Sequence, residues 1–210
     1  MKQQLSQSDF YTKKARQENY PARSVYKLKE IDGHFQLVKK GDKVLDLGAA
    51  PGSWLMYLSK QVGESGLVIA VDIVDLAIFL PSNAKFFKQD ILAAGINFTS
   101  LFTNLQPLQS IRPPGGRKFN VVLSDLAPQT SGIRSKDVAS SLELCQKAWQ
   151  IAQDVLIAGG HFVCKVFEGQ GADNFVKQLK PYFQIVKKAK PQAIRKHSKE
   201  FYLVAIGYKE

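Results

Sequence analysis

Apolar residues recur along this chain with two periods, and the alternation between them sets an order of elements. Short runs rich in β-branched and aromatic residues at Lys43 to Leu47, Leu67 to Asp72, Ala84 to Lys88, Phe119 to Ser124, His161 to Phe167, Phe183 to Ala189 and Phe201 to Tyr208 predict seven strands. Helical patterns fall at Gly52 to Val62, Asp137 to Ile157 and Asp173 to Lys180; Gly63 is placed to cap the first, and Gly159 with Gly160 to stop the second. Strands separated by helices pair in parallel with helices on both faces, whereas the last two, joined by a short link, can pair antiparallel. The expectation is an α/β fold, a Rossmann-like seven-stranded sheet whose last strand is antiparallel. Ahead of it, Tyr20 to Asp32 reads as a helix opened by Pro21, with Val25, Leu28 and Ile31 as its apolar stripe. Between Asp90 and Phe119 the pattern is weak, and Arg112 to Arg117 reads as an exposed loop to which no chemistry is assigned.

Composition narrows the setting. At 210 residues, with 45% hydrophobic and 22% charged, the chain fits one globular domain over residues 1–210. The most apolar stretch, Leu67 to Leu80, holds Asp72 and Asp75 and is shorter than the roughly 20 residues a membrane span needs. The start MKQQLSQSDFYTKK lacks the apolar core of a secretion signal, so a cytoplasmic monomer away from membranes is expected. Cys145 and Cys164 lie in apolar segments and read as buried reduced thiols, and His34, His161 and His197 show no ligand spacing, so no metal is expected.

Charge changes the picture by its placement. The net charge is +11, yet residues 1–43 carry ten basic against five acidic residues and residues 177–210 nine against two, leaving the middle at −1. Such a split suits a protein that holds a polyanion with its ends, and residues 1–43 are expected to form a basic helical extension that contributes to holding it. The candidate contacts are Arg23, Lys27, Lys187, Lys188, Lys190, Arg195, Lys196 and Lys199. The plainer alternative is two solvated lysine-rich faces. Arg23 and Lys27, four apart, would share a face of the early helix, although helix geometry alone favours Lys27 pairing with Glu30.

The first strand runs into Asp46-Leu47-Gly48-Ala49-Ala50-Pro51-Gly52-Ser53-Trp54, a glycine turn into a helix. Gly48 and Gly52 would let a ligand approach the backbone. The spacing is not that of a dinucleotide site, since Ala50 stands at the second glycine of G-x-G-x-x-G and Ser53 at the third. Asp72 closes the second strand, where a carboxylate can accept both hydroxyls of a ribose, and Asp90 follows the third, placed for an adenine amino group. Taken singly such aspartates are more often caps; together with Asp46 they suit S-adenosylmethionine, which is cationic and carries no phosphate. Ser124-Asp125-Leu126-Ala127-Pro128 follows the fourth strand, where an open α/β sheet presents residues to its crevice. Lys165, inside the apolar strand Cys164-Lys165-Val166-Phe167, needs a partner or a task, and Cys164 must face the other way.

The segments ARSVYKLKEID, DLGAAPGSW, SDLAP, CKVF and SKEFYLVA, in that order, closely resemble the FtsJ (RrmJ) family of ribosomal RNA 2′-O-methyltransferases over about Asp9 to Tyr208. The resemblance implies S-adenosylmethionine as cofactor, no metal requirement, and a Lys-Asp-Lys-Glu tetrad that falls on Lys27, Asp125, Lys165 and Glu200. It implies cofactor contacts at Gly52, Trp54, Asp72, Asp90 and Asp125, beside Gly48 and Ser53 of the same turn. Lys165 would take the proton of the acceptor hydroxyl, or orient it, while Lys27 and Glu200 position the ribose. Ser53 departs from the family, which usually has glycine there. The implied substrate is a uridine of large-subunit rRNA within the ribosomal particle, making this a ribosome-biogenesis enzyme. Competing readings are a tRNA 2′-O-methyltransferase and a non-catalytic RNA-binding assembly factor on the same scaffold. SDLAP is not the turn of an amino-group methyltransferase, and Cys164 is not placed as a C5 nucleophile.

Overall fold

A computed structural model describes residues 7–93, 119–195 and 197–209. Its seven strands are β1 (Lys43–Leu47), β2 (Leu67–Asp72), β3 (Ala84–Lys88), β4 (Phe119–Ser124), β5 (Leu156–Phe167), β6 (Phe183–Ala189) and β7 (Glu200–Tyr208). They form one sheet in the order β3-β2-β1-β4-β5-β7-β6. Strands β1 to β5 pair in parallel, and β7 runs antiparallel to both β5 and β6. The Rossmann-like sheet with an antiparallel last strand is therefore as the sequence implies.

The helices are α1 (Gln7–Gln17), α2 (Val25–Phe35), α3 (Ser53–Val62), α4 (Arg134–Val155) and α5 (Ala172–Leu179), with a 3₁₀ turn at Lys180–Tyr182. Helices α2 and α3 bury Leu28, Ile31, Trp54, Leu55 and Leu58 on one face of the sheet. On the other face α4 and α5 bury Ala148, Ile151, Ala152, Phe175 and Leu179. Among the described residues no helix is long and apolar enough to cross a membrane. The Arg112 to Arg117 stretch lies outside the described residues.

Both ends of α4 and both ends of the early helix differ from expectation. Helix α4 begins three residues early and ends at Val155, where Leu156 is already extended. The glycines do not stop it; they sit within β5, where pairing with β4 jumps from Phe119↔Leu156 to Val121↔His161. A Cβ on Gly160 would lie 2.9 Å from the Ile157 carbonyl oxygen and 3.0 Å from that of Asn120, so only glycine lets the bulged strand cross there.

The early helix starts at Val25, not at Tyr20, because residues 22–24 are held in a turn by distant groups. The Ala22 N–H donates to Ser53 Oγ (2.7 Å), Trp54 Nε1 donates to the Ser24 carbonyl (2.9 Å), and Arg23 Nη2 donates to the Ala193 carbonyl (2.5 Å). The helix outlasts Asp32 because that carboxylate works from inside the last turn. Its Oδ1 accepts the N–H groups of Leu37 and Val38, and its Oδ2 accepts the Tyr57 hydroxyl. Helix α1 gives the expected helical extension its bounds: its residues are largely polar, and it is anchored by Ala15, which is buried, and by Tyr11 against Tyr26 at 5.3 Å.

Candidate active site

The polar centre is assembled by strand register. In the antiparallel pair of β5 and β7, Lys165 lies opposite Tyr202 and Phe167 opposite Glu200, while Asp125 follows directly on β4. Alternation puts Lys165, two residues beyond the buried Val163, on the same face as α2 and α3. Lys165 is only 8% exposed. Its Nζ donates to the Asp125 main-chain oxygen at 2.6 Å and stands 3.1 Å from Asp125 Oδ1. Tyr202 donates its hydroxyl to that same Oδ1 at 2.6 Å.

Lys27 reaches in from α2, pairing with Glu200 Oε1 at 2.6 Å and standing 5.8 Å over the Tyr202 ring. The expected local pair with Glu30 is not what forms; Glu30 instead accepts the Gln192 N–H. Ser198 Oγ completes the group by donating to Glu200 Oε2 at 2.8 Å. The four residues predicted as a tetrad are thus joined as two ion pairs bridged by Tyr202. Burial, then the charge and hydrogen bond of Asp125, hold the Tyr202 phenol well above its ordinary range, so it remains a donor. Tyr202 was missed as a site residue; its opposition to Lys165 across β5 and β7 is the signal that could have found it. Behind Lys165 the two cysteines are buried as expected. Cys145 Sγ contacts the Lys165 carbonyl at 3.1 Å, and Cys164 lies on the α4 face.

Beside this row, at the C-terminal ends of β2 and β4, a cavity of about 310 Å³ is lined by Asp72, Ile73, Asp90, Leu126, Pro128 and Glu143 among others. It has carboxylates in its wall and, among the described residues, neither lysine nor arginine, in a protein of charge +11. Asp72 is anchored by the Ala50 N–H (2.8 Å) and the Val74 N–H (2.9 Å), and Asp90 by the Leu92 N–H (2.8 Å). Both therefore make the local bonds of turn aspartates and keep lone pairs for a ligand.

Gly48 has φ +83°, and a Cβ there would lie 3.0 Å from the Leu126 nitrogen; glycine lets the first turn pass close to the turn after β4. Gly52 precedes α3 against Ile78. At Ser53 and Trp54 the hydroxyl and the indole N–H are taken up by Ala22 and Ser24, and Trp54 packs on Tyr202 at 5.9 Å between ring centres. Their side chains brace the N-terminal segment, which leaves their backbone for any ligand.

Asp46 is fully buried, and neither of its carboxylate oxygens has a hydrogen-bond partner among the described residues. Burial first, then the nearby charges of Asp125 and Asp72, push its carboxyl well above the carboxylate range. A group of this kind is relieved by a cation beside it, so the donor set of Asp46, Asp72 and Asp90 fits a positively charged ligand.

The expected RNA contacts do not form one patch. Arg23 precedes α2, so it shares no helix face with Lys27. Strand alternation splits Lys187 from Lys188, which pairs with Asp173 on α5, while Lys190 pairs with Glu168 at 3.1 Å. Arg195 and Lys199 are exposed, and Lys196 lies outside the described residues. Several N-terminal cations also serve packing: Lys29 pairs with Glu18 at 2.7 Å and covers the Tyr20 ring at 4.5 Å.

A family model described as FtsJ-like methyltransferase matches residues 20–208. The ribosomal RNA large subunit methyltransferase E of Nitratidesulfovibrio vulgaris strain DP4 is 43% identical over 201 residues, covering 96% of this chain and 93% of that protein. The one from Desulfatibacillum aliphaticivorans is 44% identical over 196 residues, covering 93% and 88%. Among solved structures, a Plasmodium falciparum protein described as a ribosomal RNA methyltransferase superposes with a TM-score of 0.75 at 26% identity, covering 90% of this chain and 98% of that one. Aeropyrum pernix fibrillarin, solved with natively bound S-adenosyl-L-methionine, shares the fold at a TM-score of 0.56 and 16% identity, covering 87% and 76%.

Proposed function

Because this chain belongs to the FtsJ-like methyltransferase family, we propose that it transfers a methyl group from S-adenosylmethionine to a ribose 2′-hydroxyl of RNA. The carrying observation is a buried amine, Lys165, fixed by Asp125 close to a cavity whose described wall holds carboxylates and no lysine or arginine. The names of the bacterial relatives support large-subunit rRNA as the substrate, and the family resemblance supports a uridine within the ribosomal particle. On this reading the protein acts as a cytoplasmic monomer, and the basic residues of its ends hold the RNA.

S-adenosylmethionine supplies a methyl already activated on a sulfonium. The protein's share is placement and one proton. Asp72 and Asp90 would receive the adenosine, with Asp125 supplying negative field for the cation and Asp46 able to give up its proton beside it. Two of the three substituent positions on Lys165 Nζ are fixed by the Asp125 carbonyl and carboxylate. The third is left for the 2′-oxygen: once the ammonium has shed its own proton to solvent, the lone pair there takes the hydroxyl proton as the oxygen gains its methyl. Lys27 and Glu200, locked to each other and to Ser198, set the far side of the ribose.

Labelled S-adenosylmethionine offered with tRNA, naked rRNA and isolated large subunits tests this, with Lys165→Ala beside the wild type. Transfer to the particle is expected, with a loss of roughly 10²- to 10⁴-fold in the variant, the range of a lost general base. Equal transfer by both proteins would remove Lys165 from the chemistry; donor binding without transfer to any RNA would favour an assembly factor.

A further inference from the structure

Next to the row of Lys165, Tyr202 and Glu200, and joined to it through Phe167 and Ser198, lies a second cavity of about 410 Å³, within the size range of small-ligand sites. It is lined by Thr130, Arg134, Val138, Phe167, Ser198 and Lys199 among others. The loop after β4 joins the two cavities: Leu126 to Gln129 line the first, and Thr130 the second. Ser198 connects this cavity to the row directly through its bond to Glu200.

Its walls are tied to one another. Glu168 donates its N–H to the Lys199 carbonyl at 2.7 Å, and its own carbonyl meets Arg134 Nη2 at 3.4 Å. That peptide unit links the end of β5, the segment before β7 and the start of α4. Asp137 Oδ1 accepts both the N–H and the hydroxyl of Ser131, fastening the 130–133 loop to α4. Arg134 and Val138, one turn apart, present a single helix face to the space. Arg134 is also a cation in the first turn of α4, against the helix dipole, and such a placement suggests a use other than helix stability.

We propose that this cavity receives the base of the acceptor nucleotide, swung out of its stack, when the ribose stands before Lys165. The inference rests on the function proposed above and names a subsite within it. Val138 and Phe167 offer apolar surface to the face of a flat ring, and Arg134 offers a guanidinium plane, the two kinds of surface on which splayed RNA bases stack. A phosphate would gain nothing from the apolar floor. Ser198 gives its hydroxyl proton to Glu200, which leaves an acceptor suited to an N–H on the edge of a base.

Three variants of the full chain test it: Thr130→Trp, which fills the cavity from an exposed loop position, Arg134→Ala and Arg134→Lys. Donor binding is read by calorimetry and kcat/KM by methyl transfer to unmethylated large ribosomal subunits. All three are expected to bind the donor as the wild type does and to lose about tenfold or more in kcat/KM, the effect of removing one stacking partner. Full transfer by Thr130→Trp would overturn the proposal. So would wild-type transfer by Arg134→Lys beside a defective Arg134→Ala, since charge alone would then suffice. A wild-type chain that binds donor yet methylates no RNA would bring down the function itself, an outcome distinct from these.

Discussion

The two cavities that flank Lys165 differ in the charge of their walls. The one at the ends of β2 and β4 contains Asp72, Asp90 and Glu143 with no lysine or arginine among the described residues, whereas the one between α4 and the segment before β7 sets Arg134 and Lys199 against Asp137 and Glu168 around an apolar floor of Val138 and Phe167. The first suits a cation and the second a flat, neutral ring. A row of side chains that already satisfy one another stands between them, so the proposed catalytic groups are assembled by the fold itself. The proposed cofactor side differs: Asp46 lies buried with no partner among the described residues. The proposed reactive groups are thus set in advance, while the unpaired carboxyl lies where a positive charge would relieve it.

The largest expected effect that would sharpen this contrast comes from Asp72→Ala. Removing a charged acceptor should weaken S-adenosylmethionine binding by about 1.5–3 kcal/mol, roughly 10- to 150-fold, with RNA affinity unchanged. Calorimetry with each ligand decides it, and parallel losses would mean that the two sides are not separable.

Asp46→Asn addresses that unpaired carboxyl. The folded carboxyl titrates above its unfolded value of roughly 3.9, so the folded state keeps a proton that the unfolded state loses, and stability falls as pH rises beyond that value. Relative to the variant, the wild type should lose about 1–3 kcal/mol between acidic and neutral pH in urea unfolding. Curves that stay parallel with pH would show that Asp46 is not held neutral.

Tyr202→Phe removes one hydrogen bond from the central row, and kcat should drop by about 1 kcal/mol, roughly fivefold, with donor affinity intact. A change confined to KM would assign Tyr202 to packing. The smallest effect concerns the basic surface. Arg195 and Lys199, which have no ion pair among the described residues, should each lower the salt slope of RNA binding by about 0.7–0.9 when changed to Gln, whereas Lys188 and Lys190, already paired, should not. Equal slopes in both sets would leave the C-terminal charge without a preferred face.

Much of the site was legible because its signals are local. Strands β1 to β4 are short apolar runs bounded by turns, and Lys165 stands out as a charge inside such a run. What the residues alone left open depends on partners far apart in the chain. Helix geometry favours Glu30 for Lys27, but the fold brings Glu200 to it from 173 positions away. Ser53 and Trp54 sit in the expected turn, yet their polar atoms answer Ala22 and Ser24, about 30 residues earlier. Tyr202 resembles any core tyrosine until the register of β5 and β7 is known. Lysines near one another in the sequence are divided by the period of a strand and by acids just after β5 and on α5.

The sheet order leaves an assembly problem in time. Strand β7 occupies the space between β5 and β6, so β6 has no neighbour to join until residues 200–208 arrive. Glu200 and Tyr202 come with that final insertion, and until then Lys27 lacks its counter-ion and Asp125 its phenol. A partly folded chain therefore cannot carry a finished reaction centre, and the capacity for methyl transfer should appear together with the last cooperative step of folding. Stopped-flow refolding followed by activity would expose any burst of turnover ahead of that step.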